Sequence, residues 1–408
     1  MYRLVFILIL FSSVRLFSQD TLNSKIVEEK SYKLYTEKKW NELIEFGNLA
    51  LEKGFDYYYL RMRLGIAYYE KKNYRSAQSH FFKALSFNSN DDTAMEYIYY
   101  CYLYSWQYDA ARKFSKNFSP SLIKKFSSIK SSAIDFLMLE IGVKSTTQQD
   151  LSNGNYFLPA AGFHLGKKIS FFSAATLFNQ NGTRQNLNQK QFFLSASIPV
   201  KKSWNISPAF HYIDRTISFN RPPLPPNYQP WMPPPPQAPP SSTANYFVSS
   251  LEVKKSISYL DIALGSAISN IDSIKQAQGN LSLSYFPFGN NNLFFTSTGY
   301  AQKESVSSDL KYAFSQSISV MFFSKIIISA NYLTNQAHHL NEMNAYLVNN
   351  SQDLTSSRIT LMGNFILSSR LSFYLLYQSE NKIRNDKQNN IITNYSYNNF
   401  IGGLKFTL

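Results

Sequence analysis

The chain of 408 residues is long enough for two domains. Aromatic residues make up 16% of it, with 29 Tyr and 33 Phe, while charged residues stand at only 16%, below the roughly 25% of soluble domains. That balance points to a membrane, yet no apolar run of about 18 residues follows the N-terminus, which excludes spanning helices and leaves a closed β-barrel. The formal net charge of +15 suits nucleic acid in principle. In an exported chain it is better assigned to helix faces, loops and a hydrated lumen, so no nucleic-acid partner is expected.

Export is read from the first residues. Arg3 precedes the apolar stretch Leu4 to Phe11, and Leu16-Phe17-Ser18 resembles a cleavage site before Gln19, so 1–18 is expected to be a signal peptide. Cys101 is the only cysteine. It has no partner for an internal disulfide and is expected to pack as a small hydrophobe.

Over residues 24–118 the chain repeats with a period of 34 residues. Leu34, Tyr68 and Tyr102 keep that interval, as do Trp40, Tyr74 and Tyr108, and Leu43, Ala77 and Ala111. The middle unit resembles the tetratricopeptide helix-turn-helix repeat, with Leu64, Gly65 and Tyr68 on its first helix and Ala77, Phe81 and Ala84 on its second. The resemblance implies a periplasmic solenoid. Its concave groove is expected to take a protein partner on Tyr57, Tyr58, Arg61 and Arg63, although a stack that merely spaces the barrel reads equally well. Residues 119–134, rich in Ser and Lys, read as a linker.

From residue 135 to 408 the period changes to two. Fourteen strands are predicted, with 12 or 16 also compatible, and short connections such as Lys167-Lys168, Lys202-Ser203 and Ser369-Arg370 alternate with longer ones. That asymmetry is the pattern of outer-membrane barrels, with short periplasmic turns and longer external loops. Phe400, Leu404, Phe406 and Leu408 share one face of the last strand, similar to the terminal segment by which such barrels are recognised for insertion. The expected fold class is therefore α + β multidomain: a short helical solenoid followed by a transmembrane antiparallel β-barrel.

Candidate lumen residues are Glu140, Lys144, His164, His211, Arg215, Glu252, Lys254, Asp261, Lys311 and Lys405, whose mixed signs suit a cross-paired interior more than a strong ion selector. Residues 221–240 hold 11 of the 16 prolines and are expected to form a polyproline II loop on the outer surface, with Tyr228 and Trp231 as exposed anchors. His338-His339 has no spaced acidic or Cys partner, so no metal is expected. No Ser-His-Asp arrangement, phosphate loop or other cofactor motif stands out, and the chain is read as non-enzymatic and without a cofactor.

Leader, repeats and barrel together resemble the YaiO-like outer-membrane proteins frequent in Bacteroidota, and more remotely the exopolysaccharide-export porins. The resemblance implies outer-membrane lipid around the barrel, a periplasmic protein partner for the repeats, and passage of a polysaccharide or small solute. The alternative is a non-conducting scaffold, or a subunit of a larger envelope or secretion complex.

Overall fold

The computed structural model describes residues 22–126, 132–147, 151–183, 185–200, 203–220, 229, 237–238, 240–351, 353–386 and 391–408. The expected leader at 1–18 and the anchors Tyr228 and Trp231 lie outside these residues.

Three helical hairpins come first: α1 (Ser24–Thr36) with α2 (Trp40–Glu52), α3 (Tyr58–Glu70) with α4 (Tyr74–Phe87), and α5 (Asp92–Tyr104) with α6 (Tyr108–Phe114). Their starts keep the 34-residue interval read from the sequence. Short polar side chains cap α1, α4 and α5: Asn23 accepts from the Ile26 amide at 2.9 Å, Asn73 from Ser76 at 3.1 Å and Asp91 from Ala94 at 2.7 Å, satisfying amides that have no partner within the helix. Each hairpin turns through one residue in the left-handed region, at Lys38, Lys72 and Trp106.

The hairpins stack on two apolar clusters. Val27, Leu34, Leu43, Ala50, Leu60 and Leu64 fill the first, and Ala77, Phe81, Ala84, Ile98 and Cys101 the second. Gly65 lets α3 approach α4, because a Cβ there would overlap the Phe81 ring. Tyr68, half-buried between the clusters, accepts from Asn48 at 2.9 Å and stacks on His80.

Residues 119–134 are not simply a linker. Pro120–Phe126 forms a seventh helix, α7, and its Leu122 is buried against Met95 and Phe118. Composition misleads here because Pro at the first helical position favours a helix start, and Ser119 at its head donates to Asp92 at 2.8 Å.

Sixteen strands follow: β1 (Ile134–Thr146), β2 (Leu151–Leu165), β3 (Ile169–Gly182), β4 (Gln185–Pro199), β5 (Trp204–Phe219), β6 (Ser242–Ile257), β7 (Leu260–Ile271), β8 (Ile274–Tyr285), β9 (Leu293–Glu304), β10 (Leu310–Phe322), β11 (Ile326–Asn335), the two-residue β12 (Asn341–Glu342) and β13 (Leu347–Val348), then β14 (Leu354–Ile366), β15 (Leu371–Asp386) and β16 (Ile391–Thr407). Fourteen of them close into one antiparallel barrel in sequence order, with β1 pairing both β2 and β16. β12 and β13 pair only with each other.

Alternation fixes the two faces of the wall. Leu137, Leu139, Ile141 and Val143 on β1 are exposed, as are Leu264 and Ile268 on β7 and Phe400 and Leu404 on β16. Their neighbours one position along face inward. An apolar outer band around a closed ladder is the surface a bilayer requires, since no backbone group is left unpaired in lipid. The chain is an outer-membrane-type β-barrel with a helical N-terminal domain.

Candidate functional site: the lumen, its inward loop and its helical cap

The side chains predicted to face the lumen lie on the inward parity of their strands, and they divide into four groups by what they touch. Glu140 accepts from the hydroxyls of Tyr156 on β2 and Tyr374 on β15. Lys144 reaches Glu380 at 3.3 Å and lies over the Tyr397 ring, and Lys405 lies over Phe136. These tie neighbouring strands together across the seam where β1 meets β16. Near the helices, Asp261 and His164 take part in the domain contacts described below. Glu252, Lys254 and Lys311 face inward and make no ion pair among the described residues.

His211 and Arg215 meet something the sequence reading did not foresee. The connection between β11 and β14, residues 336–353, folds back into the barrel, and Ala337, His339, Leu340, Asn341, Glu342 and Ala345 are buried there. It starts from the end of the barrel opposite the helices. His211 Nδ1 lies 2.7 Å from the Ala345 carbonyl. Arg215 donates to the Asn350 carbonyl at 3.2 Å and pairs with Asp272, which lies 3.5 Å from His339 Nε2.

The loop is held across much of the wall. Gln278 on β8 and Asn341 exchange two hydrogen bonds, at 2.6 and 3.0 Å. On β9, Gln302 donates to the His338 carbonyl at 2.6 Å and Glu304 accepts from the His338 amide at 3.0 Å. Arg358 on β14 pairs with Glu342 at 2.5 Å, both buried. Tyr346 packs against Phe172 and Phe193. At its tip Met343, Asn344 and Ala345 are consecutively left-handed, a conformation that costs free energy for residues other than glycine. Ser250, donating to the Asn344 carbonyl at 3.0 Å, helps to hold it there together with His211.

The sequence places the longer connections, His338-His339 among them, outside the barrel and singles out none of Gln278, Gln302, Glu304, Glu342 and Arg358. One signal was present: Ala337, Leu340, Ala345, Leu347 and Val348 make this connection too apolar for a solvated one. Among the described residues no group of three His, Cys, Asp or Glu is placed to hold a metal.

At the other end the hairpins dock on the barrel's short turns. Arg75, 5% exposed, grips Asp261 of β7 through two hydrogen bonds at 2.7 and 3.2 Å and stacks over Phe286 at 3.6 Å. Asn73 donates to the Tyr259 hydroxyl at 2.8 Å, and the Arg75 amide donates to the Gly289 carbonyl at 3.1 Å. Gly289 is left-handed, and a Cβ on it would overlap the Asn73 side chain. A second attachment runs through α6. Arg112 reaches Asp135 at 2.8 Å and Ser170 at 2.6 Å, Asp109 accepts from Ser197 at 2.6 Å, and Asp135 lies 2.9 Å from His164.

The groove residues expected to meet a partner are instead engaged inside the hairpin stack. Arg63 is buried and pairs with Glu28 and Ser31 of α1, Arg61 pairs with Asp56 at 2.7 Å and lies 3.2 Å from His80, and the Tyr58 hydroxyl donates to Asp91. Tyr57 packs half-buried on the first cluster. Residue type alone suggested a docking surface; Glu28 on α1, Asp56 in the turn before α3 and Asp91 at the head of α5 use those groups up. The arginines in turn hold the Glu28 and Asp56 carboxyls below the usual carboxylate range.

No family model matches the chain, and no curated protein matches it. Among solved structures it is similar to the toluene transporter TodX of Pseudomonas putida, at 8% identity over 68% of this chain and 90% of that one, with a TM-score of 0.44. A FadL homologue of Pseudomonas aeruginosa is similar at 7% identity over 67% and 90%, with a TM-score of 0.40. The translocator domain of the autotransporter NalP from Neisseria meningitidis is similar at 10% identity over 75% and 99%, with a TM-score of 0.33. At these identities none of them transfers a ligand or a role to this chain.

Proposed function

We propose that the protein is a gated outer-membrane conduit, passing a solute or polymer through the barrel, with its helical domain in the periplasm and the long connections outside. The observation that carries this reading is the inward-folded connection 336–353. It is held to the barrel wall by side chains, while the fourteen-strand ladder closes without it. Such a segment can leave the lumen without opening any strand pair of the wall. The strained tip at Met343 to Ala345 lowers the cost of that movement.

The 34-residue interval of the helix starts supports placing the N-terminal domain with tetratricopeptide repeats and the chain with YaiO-like proteins. A leader at 1–18 and a periplasmic protein partner belong to the same reading, and no enzymatic step is needed for it. Since Arg61 and Arg63 are engaged within the stack, the partner surface is assigned to exposed side chains such as Tyr32 and Tyr59.

Planar-bilayer recording tests the conduit. The intact chain should show rare openings, and a chain with residues 338–349 replaced by a short Gly-Ser link should show sustained conductance. Silence in both would sink the reading. It would favour the rival scaffold, which the many ties between loop and wall also support.

A further inference from the structure

The two attachments of the helical domain leave a gap between them. Asn73, Arg75 and Ser76 hold the turns flanking β7 and β9, and Asp109 and Arg112 hold β1, β3 and β4. Over the periplasmic ends of β5 and β6 a cleft of about 730 Å³ remains between α4–α6 and the barrel rim, a volume typical of small-molecule sites.

Three kinds of side chain line it. Phe82, Tyr108 and Trp204 present large aromatic surfaces, and all three are exposed. Gln107, Asn117 and Asn205 supply neutral donors and acceptors. Lys116 and Lys254 add positive charge, and neither has an ion pair among the described residues. Desolvation, and then the neighbouring charges of Lys168, Lys113 and Lys167, hold Lys116 below the usual lysine range. That crowding is relieved by a bound anion. Asp109, the one acid on the lining among the described residues, is already engaged with Ser170 and Ser197.

The floor discriminates between anions. Ser197, Asn205, Lys254 and Ser256 sit on the inward parity of β4, β5 and β6, so the cleft leads towards the polar lumen. An acyl chain laid there would meet hydroxyls and amides. A pyranose offers an apolar C–H face to aromatic rings, hydroxyls to amides, and, when acidic, a carboxylate or phosphate to the lysines.

We propose that this cleft binds an acidic saccharide at the periplasmic side of the barrel. The site deepens the conduit reading by naming a class of cargo, but binding is measured in the closed protein and does not require conductance.

The test is calorimetric titration of the full chain in detergent with a hexameric oligouronate, alongside a neutral malto-oligosaccharide of equal length. The oligouronate should bind, more weakly at high salt, and the neutral sugar should bind at least about tenfold less tightly, a difference of about 1.4 kcal/mol. The double variant Lys116→Gln/Lys254→Gln should lose about tenfold for the oligouronate while keeping the compact gel mobility of a folded barrel. Tyr108→Ala should weaken binding with the charge left intact. Equal binding of the two sugars, an unchanged affinity in the lysine variant, or no oligouronate binding would overturn the proposal. So would displacement of the sugar by phosphatidylglycerol nanodiscs, which would make the site a lipid headgroup pocket, or binding that only a periplasmic protein achieves.

Discussion

Arg75 and Asp261 lie 186 residues apart in the chain, yet they meet in a two-pronged ion pair at 2.7 and 3.2 Å, with the guanidinium carbon 3.6 Å from the centre of the Phe286 ring. One comes from the start of a repeat helix, the other from the first turn of a barrel strand. Fork-to-carboxylate geometry of this kind specifies orientation as well as adding free energy.

Removing one member leaves the other buried and unpaired, at a cost of about 3–5 kcal/mol. Asp261→Ala should therefore release the helical domain at its α4 attachment while the barrel stays closed. Limited proteolysis of the full chain in detergent checks this: cleavage between 72 and 132 should accelerate at least tenfold, with heat-modifiable gel mobility unchanged. Equal protection of variant and parent would show that the α6 attachment suffices.

Gly289 offers a steric route to the same end. Ala there must adopt a left-handed backbone and place its Cβ against Asn73, which costs about 1–2 kcal/mol for the backbone alone. Gly289→Ala should weaken docking less than Asp261→Ala does. In the double variant the two effects should fall short of adding, because both act on one contact. Amide exchange in α4 reads the difference.

Arg358 and Glu342 hold the inward loop by a buried pair. Glu342→Gln leaves the guanidinium without its counter-charge and should raise the frequency of conductance events at least tenfold, with single-channel size unchanged. Arg358→Met/Glu342→Leu, which removes both charges and keeps volume, should sit nearer the parent. If the single variant opens no more often than the parent, the pair is not part of the latch.

Acid should loosen the helical domain. Burial, and then the charge of Arg61, push the His80 pKa down from 6.5 to about 4, with Asp56 opposing. The unfolded domain therefore takes up a proton that the folded one refuses, so stability is full above the unfolded value near 6.5 and falls as pH drops towards 4. The loss is about 2 kcal/mol after allowing for partial exposure of the ring. Protection factors in α3 and α4, which divide out the pH dependence of intrinsic amide exchange, should fall over that window in the parent and not in His80→Phe, which keeps the stack on Tyr68. A pH-independent profile in the parent would remove the His80 assignment.

Much of the architecture was written in local pattern. Leu34, Tyr68 and Tyr102 mark the helical interval, and alternation such as Ile359, Leu361 and Phe365 against Thr360 and Asn364 marks a strand with one face in lipid. Each follows from a chain geometry of fixed period acting on neighbours a few residues apart, so the helical interval and the apolar outer face could be read directly, and the strand number narrowed to fourteen with 12 or 16 still open. Ser119-Pro120 failed because turn composition and a helix start share the same residues.

What lies inside the barrel was not legible that way. Whether 336–353 stays outside or folds in is decided by Gln278, Gln302 and Arg358 on three separate strands, and such contacts leave no period in the sequence. The same holds for Arg63, which looked free in one dimension: only the stacking of α1 against α3 supplied its carboxylate, Glu28. Sequence determined the barrel and its helical neighbour, because regular backbone sets the pattern of every residue in it. Tertiary structure alone decided that the lumen is filled from one end and capped from the other, because that closure depends on single side chains meeting across long stretches of chain.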